Sequence, residues 1–258
     1  TGDGGSIAYP KSGTGPTPVL LLHDWLVSGS SWQDFLPSLP KDRYTVMLPD
    51  QRGTGFSFHP EAGYTLDRYA EDMIGLMAEE KDFTRKWIVV GHGFGGLVAQ
   101  RLAILYGRKI GGLVLAAPMP LGGLAAAGAI GAAIQAALRD RSQLAGLFPL
   151  LFGSAPEEST LEILREDIES TSDICIREAA AVWQKGGDTE KLSKIRCPAL
   201  VIGAEKDTLV PAATIESEVA GRLPGATYKT YPGCGHMIPF EAPARLAADL
   251  DAFAAEPA

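Results

Sequence analysis

The fold is decided by residues 86–100, which read KWIVVGHGFGGLVAQ. Residues 87–90 form an apolar, β-branched run with the length of a strand, and residues 97–106 carry apolar side chains at helical spacing. A glycine-rich turn separates the two patterns. We therefore predict a strand that bends sharply into a helix around Gly93, with glycines where the backbone is strained or packs too closely for side chains.

On both sides of this turn, apolar runs of strand length alternate with helical patterns. This alternation is typical of an α/β fold, with a mostly parallel sheet and helices on both of its faces. The predicted strands are residues 18–22, 44–48, 87–90, 110–116, 199–203 and 227–231. The first predicted helix has Thr65 as its N-cap, and three further helices are predicted at residues 97–106, 211–223 and 243–255.

The alternation stops between residues 119 and 192. Helical patterns replace it at residues 124–138, 159–169 and 172–184. We predict a core formed by residues 1–118 and 193–258, with a helical cap inserted at residues 119–192. The inserted segment offers more apolar than charged side chains, which favours a small, mainly apolar substrate.

Composition narrows the classes of partner. A net charge of -8 argues against nucleic acid and anionic membrane surfaces. Three cysteines and four histidines show no metal or redox spacing, so we expect no metal and no cofactor.

Residues 110–138 lack charge but read as a buried strand and an apolar helix, not a membrane span. With no visible signal peptide we expect a cytoplasmic or otherwise soluble protein, and the start at Thr1 points to a truncated N-terminus.

Five motifs occur in a characteristic order: HDW at 23–25, DQRGTGFS at 50–57, GHGFGG at 91–96, GAEKD at 203–207 and GCGH at 233–236. Through them nearly the whole chain resembles the α/β-hydrolase superfamily, especially its capped esterase, perhydrolase and lactonase-like members. The resemblance implies an α/β-hydrolase fold with an inserted cap. It also implies catalysis by a nucleophile, an acid and a histidine, in that order along the chain.

The resemblance implies the roles of individual residues. Position 93 is the nucleophile position, and His236 is the general base. Asp207 is the acid that orients His236, although Glu205 is an alternative partner if Asp207 only caps a helix. The resemblance further implies that the backbone N–H groups of Trp25 and Phe94 form the oxyanion hole, and that His23, Asp24 and Trp183 line the site.

The chain departs from the family pattern at two positions. Gly93 stands where a serine is expected, and Asp24 stands where the family usually has the glycine of a His-Gly pair. A glycine cannot form an acyl-enzyme. Because the elbow is strained, we expect the Gly93 form to be at least as stable as a Gly93→Ser form.

Three interpretations of the missing serine remain open. The favoured one is a hydrolase of a mainly apolar carboxylic ester or lactone, acting through an acyl-enzyme, whose nucleophile was replaced by glycine to give an inactive, substrate-trapping variant. The second is a natural lyase, cyclase or cofactor-free oxygenase that uses His236 and Asp207 as an acid–base pair. Asp24 fits this second interpretation because a carboxylate beside the oxyanion turn disfavours an oxyanion. The third is a ligand-binding pseudo-enzyme. The sequence leaves the natural substrate and any homo-oligomer undetermined.

Overall fold

The computed structural model describes residues 1–80 and 85–255, and a seven-stranded sheet lies at its centre. The strand order is β1-β3-β2-β4-β5-β6-β7; β1 is antiparallel to β3 and every other neighbouring pair is parallel. The strands are β1 (Lys11–Ser12), β2 (Thr17–Leu22), β3 (Tyr44–Met47), β4 (Trp87–His92), β5 (Ile110–Ala116), β6 (Ala199–Ala204) and β7 (Thr227–Tyr231).

The predicted fold class, a mostly parallel α/β sheet, is confirmed. All six residues of β4 are buried, and successive residues of a strand point to opposite faces, so both faces of the sheet centre are covered. The predictions for residues 110–116 and 227–231 match β5 and β7 at both ends. β1 was not predicted, because two residues at a sheet edge carry no periodicity to detect.

The helices are α1 (Leu66–Glu79), α2 (Phe94–Tyr106), α3 (Gly128–Arg139), α4 (Phe148–Leu151), α5 (Glu158–Glu169), α6 (Asp173–Lys185), α7 (Ala212–Glu218), α8 (Ile238–Glu241) and α9 (Pro243–Ala255). Short 3-10 helices occur at Gly29–Trp32, Leu36–Ser38, Gly107–Lys109, Arg141–Leu147, Thr189–Lys194 and Ala220–Arg222. Helices α3 to α6 lie between β5 and β6 in the sequence, within the segment 119–192, which we call the insertion.

Two predicted helix boundaries were wrong. The helix expected at 124–138 begins only at Gly128, because Gly123 has a φ of 88° and the chain turns there before the helix starts. The helix expected at 211–223 ends at Glu218 and continues as a 3-10 turn from Ala220. The uncharged residues 110–138 divide into β5 and most of α3, and no helix within the described residues has the length and apolar character needed to cross a bilayer.

Close packing of α2 against β2 and β4 requires glycine at specific positions. A Cβ on Gly95 would lie 2.2 Å from the carbonyl oxygen of Leu22, and a Cβ on Gly91 would lie 2.5 Å from that of Gly95. Backbone atoms cannot yield as a flexible side chain can. The start of α2 is therefore fixed against the carboxyl ends of both strands, and this is where the candidate site lies.

We predict that Gly95→Ala lowers the free energy of unfolding by about 1–3 kcal/mol, the usual cost of forcing extra atoms into a packed core. Gly75→Ala is the control: Gly75 lies inside α1 and a Cβ there would meet nothing within 4 Å. That change should stabilise the protein by up to about 1 kcal/mol. Urea denaturation of both variants checks this, and an unaffected Gly95→Ala protein would contradict the packing described.

Candidate active site

The turn between β4 and α2 keeps the sharp geometry expected from the sequence. Gly93 has φ 51° and ψ −114°, in a region that favours glycine. Its N–H donates to the carbonyl of Ala116 at 3.1 Å, and its carbonyl accepts the N–H of Met119 at 3.0 Å. The turn is thus held against the end of β5 although it carries no side chain.

The carboxylate of Asp24 fills the space where a serine side chain would stand. A Cβ on Gly93 would lie 2.0 Å from Oδ1 and 2.1 Å from Cγ of Asp24, so a side chain at position 93 requires the Asp24 carboxylate to move. Asp24 follows β2, and β2 is the parallel neighbour of β4, so the carboxyl ends of both strands reach the same edge of the sheet. The conformation of Asp24 seen here therefore goes with a glycine at position 93.

Each carboxylate oxygen of Asp24 has its own donor. Oδ1 accepts the N–H of Phe94 at 2.5 Å, and Oδ2 lies 3.1 Å from Nε2 of His236. Burial raises the pKa of the Asp24 carboxyl, but the charge and hydrogen bond of His236, together with the Phe94 amide, hold it below its ordinary value. Asp24 is therefore an anion at neutral pH, placed at the positive end of α2.

The imidazole ring of His236 lies between two carboxylates. Nδ1 is 2.7 Å from Oδ2 of Asp207, opposite the contact of Nε2 with Asp24. Burial by itself lowers the pKa of His236, but the charges of Asp207 and Asp24 outweigh it and raise the pKa to about 10. A pKa raised in this way favours the imidazolium, in which both ring nitrogens donate, Nδ1 to Asp207 and Nε2 to Asp24.

Of the two candidate acids, the structure brings Asp207 to His236. Oδ1 of Asp207 accepts the N–H groups of Leu209 and Val210, each at 2.9 Å, which leaves Oδ2 for the imidazole. Glu205 instead accepts the N–H of Gly233 at 2.7 Å. The loop after β6 thus orients Asp207 through its own backbone.

Of the two predicted oxyanion donors, Phe94 already has an acceptor for its N–H, and the Trp25 side chain contacts the insertion. The Phe94 N–H donates to Asp24, so it already stabilises an anion that belongs to the protein. The indole of Trp25 donates to the carbonyl of Ile176 at 3.0 Å, and its ring meets the buried ring of Trp183 edge to face, with centroids 5.6 Å apart. Both tryptophans therefore join the loop after β2 to the insertion.

His23 positions the backbone of Asp24. Its Nδ1–H donates to the carbonyl of Asp24 at 2.8 Å, while Nε2 accepts the N–H of Gln51 at 2.9 Å. This pattern requires a neutral ring, and burial lowers the pKa of His23 in agreement with it. His23 therefore supports the site from behind the loop.

The insertion closes over the site. Asp167 on α5 accepts three hydrogen bonds from the loop after β2: from the N–H and hydroxyl of Ser28 at 3.0 and 2.6 Å, and from the hydroxyl of Ser30 at 2.8 Å. A cavity lined by Asp24 and by Cys175 of the insertion measures about 10 Å³, which is close to the least space that holds one water.

Sequence reasoning missed two carboxylates that hold this arrangement together. One is Asp167. The other is Glu241, whose two oxygens accept the N–H groups of Gly153 at 2.7 Å and Gly235 at 2.8 Å, joining the insertion to the loop that carries His236. The groups that donate to Asp167 and Glu241 are backbone amides or serine hydroxyls, most of them far away in the sequence. Contacts of this kind produce no recognisable sequence motif.

The structure also assembles a set of metal donors that the sequence did not reveal. Donor atoms of Asp24, His92 and His236 lie within 4.8 Å of one another. Nε2 of His92 donates to the carbonyl of His236, and its Nδ1 has no hydrogen-bond partner among the residues described. Two imidazoles and a carboxylate are ligands that zinc and iron accept. Binding a metal there would replace the contact between Asp24 and His236, and a chelator would restore that contact.

Comparisons with known proteins agree with this architecture. A sequence model described as "Alpha/beta hydrolase family" matches residues 19–249. The chain is 28% identical over 249 residues to the dihydrolipoyllysine-residue acetyltransferase component of the acetoin cleaving system of Cupriavidus necator, covering 93% of this chain but 64% of that protein, less than two thirds of its length. It is 28% identical over 258 residues to the non-heme chloroperoxidase CPO-A1 of Kitasatospora aureofaciens, covering 92% and 91% of the two chains. An esterase structure from Exiguobacterium antarcticum has the same fold, with a TM-score of 0.89, 20% identity and coverage of 98% and 97%.

We predict that Gly93→Ser and Asp24→Gly compensate each other in stability. Gly93→Ser alone forces a side chain onto the Asp24 carboxylate and should cost about 1–3 kcal/mol. Asp24→Gly alone leaves the Phe94 N–H and Nε2 of His236 without their present partner and should cost a similar amount.

The double variant fills the space with a serine, and its loss of unfolding free energy in urea should be smaller than the sum of the two single losses by at least about 1 kcal/mol. It should also be the form that reacts with a fluorophosphonate at position 93. Additive losses, or labelling of Gly93→Ser alone, would contradict the steric exclusion.

Proposed function

The chain belongs to the alpha/beta hydrolase family, and from this membership and the site geometry we propose that it is a hydrolase that cleaves a C–O bond through Asp24 and His236 instead of a serine. The observation that carries the proposal is the position of the Asp24 carboxylate. It fills the space of the serine side chain and contacts both groups that a serine would need, the base His236 and the Phe94 amide.

The same contact supports a natural glycine at position 93. Replacing only the serine of an ordinary hydrolase would leave a small empty space at the elbow and a glycine at position 24. Here the space is filled by a carboxylate with two well-placed partners. A substrate-trapping substitution explains one of the two departures from the family pattern, whereas an exchanged catalytic group explains both.

The charges of the pair assign their roles. Asp24 is the anion that acts on the substrate, and the imidazolium of His236 is the acid that protonates the leaving oxygen. Asp207 keeps the ring oriented and charged through its contact with Nδ1. Once it has donated its proton, His236 becomes the base of the second half of the reaction.

The substrate class is proposed from the side chains around Asp24. Trp25, Tyr69, Phe94 and Ala179 line the small cavity beside it, and their apolar character, not the size of the cavity, favours a mainly apolar molecule over a sugar or a charged acid. Carboxylic esters and lactones are the classes expected from the sequence, and they define the first substrates to test. The same acid–base pair would also serve a lyase or cyclase, whose products contain no added water.

We predict that the protein hydrolyses members of a panel of short aryl esters, lactones and epoxides in the presence of a chelator. Asp24→Asn and His236→Asn should each lose roughly 10²–10⁴-fold in kcat/KM, because each removes one partner of the proton transfer. Asp34→Asn, on an exposed carboxylate, is the matched control and should retain full activity. Turnover that survives both site variants, or no turnover of the whole panel by the unmodified protein, would refute the proposal, the latter in favour of a ligand-binding role.

We also predict an inverted pH profile. A serine hydrolase gains activity as its histidine loses a proton near pH 6.5 or so. This site needs His236 protonated, so kcat/KM should stay level through neutral pH and fall as the pH rises through about 10. A rate that climbs between about pH 6 and 8 would contradict the assigned charges.

A further inference from the structure

Three potential metal ligands meet at the carboxyl edge of the sheet, each from a different strand or the loop after it. Asp24 follows β2, His92 ends β4 and His236 lies in the loop after β7. Their donor atoms lie within 4.8 Å of one another, and all three side chains are buried. A zinc ion lies about 2.0–2.2 Å from each of its ligands, so binding would draw these atoms closer together.

The hydrogen bond that His92 makes leaves its other ring nitrogen available. Nε2 lies 2.7 Å from the backbone carbonyl oxygen of His236, and because a carbonyl only accepts, Nε2 carries the proton. Nδ1 of the neutral ring then has a free lone pair. This buried atom has no hydrogen-bond partner in the part of the chain that the structure describes. Such an atom calls for an explanation, and an ion that it binds is one.

His236 is held in a matching way. Its Nδ1 lies 2.7 Å from Oδ2 of Asp207, and its Nε2 faces Oδ2 of Asp24 at 3.1 Å. A metal-binding histidine almost always donates its other ring N–H to a carboxylate or a backbone carbonyl, which fixes the tautomer and the orientation of the ring. His236 has the carboxylate and His92 has the carbonyl.

We propose that Asp24, His92 and His236 form a binding site for a divalent transition-metal ion such as Zn²⁺. The ligands are the carboxylate of Asp24, Nδ1 of His92 and Nε2 of His236. The metal takes the place of a proton between Nε2 and Asp24, and the contact of Nδ1 with Asp207 is kept. Two imidazoles and a carboxylate suit zinc, whereas Mg²⁺ and Ca²⁺ prefer oxygen ligands.

A metal at this position would block the proposed chemistry rather than assist it. Asp24 and His236 would both be ligands, so neither could take part in proton transfer with a substrate. Zn²⁺ should therefore inhibit hydrolysis reversibly. Metal binding itself does not rest on the proposed function, although this inhibition does.

Calorimetric titration of the chelator-treated protein with Zn²⁺ tests the site without any turnover. We expect one Zn²⁺ per chain and no comparable binding of Mg²⁺. In His92→Gln the side-chain amide can still donate to the His236 carbonyl, as Nε2 does, but it places no donor at the position of Nδ1. This variant should bind Zn²⁺ at least roughly 10²-fold more weakly, because the loss of an outer partner alone costs about 10–100-fold.

Two further variants separate this site from other zinc binding. Asp207→Asn removes the acceptor of the Nδ1 proton of His236 and should weaken Zn²⁺ binding by about 10–100-fold. His59→Gln is the matched control, because His59 is exposed and lies outside the proposed site, and it should bind Zn²⁺ as the unmodified protein does. Circular dichroism of each variant checks that it is folded.

Nitrogen-15 NMR of the unmodified protein identifies the ligands even if a variant does not fold. Saturating Zn²⁺ should shift the signals of Nδ1 of His92 and Nε2 of His236 and leave the ring of His59 unchanged. Zn²⁺ that shifts neither nitrogen, full affinity in folded His92→Gln, or no stoichiometric binding would overturn the site. Stoichiometric binding by a protein that shows no turnover when metal-free would instead remove the proposed function and leave the metal site standing.

Discussion

The candidate site depends on a buried row of three side chains in hydrogen-bond contact, Asp24, His236 and Asp207. Charged groups out of contact with water are costly unless they are paired and hydrogen-bonded. Here the imidazolium has a carboxylate at each nitrogen, and the surplus negative charge is met by backbone N–H groups, from Phe94 to Asp24 and from Leu209 and Val210 to Asp207. These contacts therefore fix the relative positions of the loops that carry Asp24, His236 and Asp207.

The Asp24 carboxylate occupies the space that a side chain at position 93 would need, and Gly93 leaves that space open. The elbow keeps its backbone conformation, its hydrogen bonds to the end of β5 and its tight packing on β2, because these belong to the sheet and helix rather than to the missing side chain. In the proposed function the reactive group comes from the loop after β2 instead of the elbow. Gly93 and Asp24, which are far apart in the sequence, are adjacent in space, where a Cβ on Gly93 would meet the Asp24 carboxylate.

Features that depend on hydrophobic periodicity or on the order of motifs could be predicted from the sequence. Six strands and the turn at Gly93 lie where the patterns indicated, and Asp207 contacts His236 as expected. The position of the Asp24 carboxylate could not be predicted, because it depends on a contact between two strands and on one side-chain direction. The same holds for Asp167 and Glu241, which bind backbone amides and hydroxyls distant in the sequence. The start of α3 was missed because a turn at Gly123 overrides a continuous apolar pattern.

The protonation of His236 decides whether it forms an ion pair with Asp24 where a neutral serine–histidine pair would stand. Nitrogen-15 NMR of the His236 ring, assigned with His236→Asn, measures its protonation directly. We expect both ring nitrogens to carry protons at about pH 8, and we expect Asp24→Asn to lower the pKa of the ring. A neutral ring at that pH with a bare Nε2 would contradict it, since His236 would then be the base of an ordinary triad.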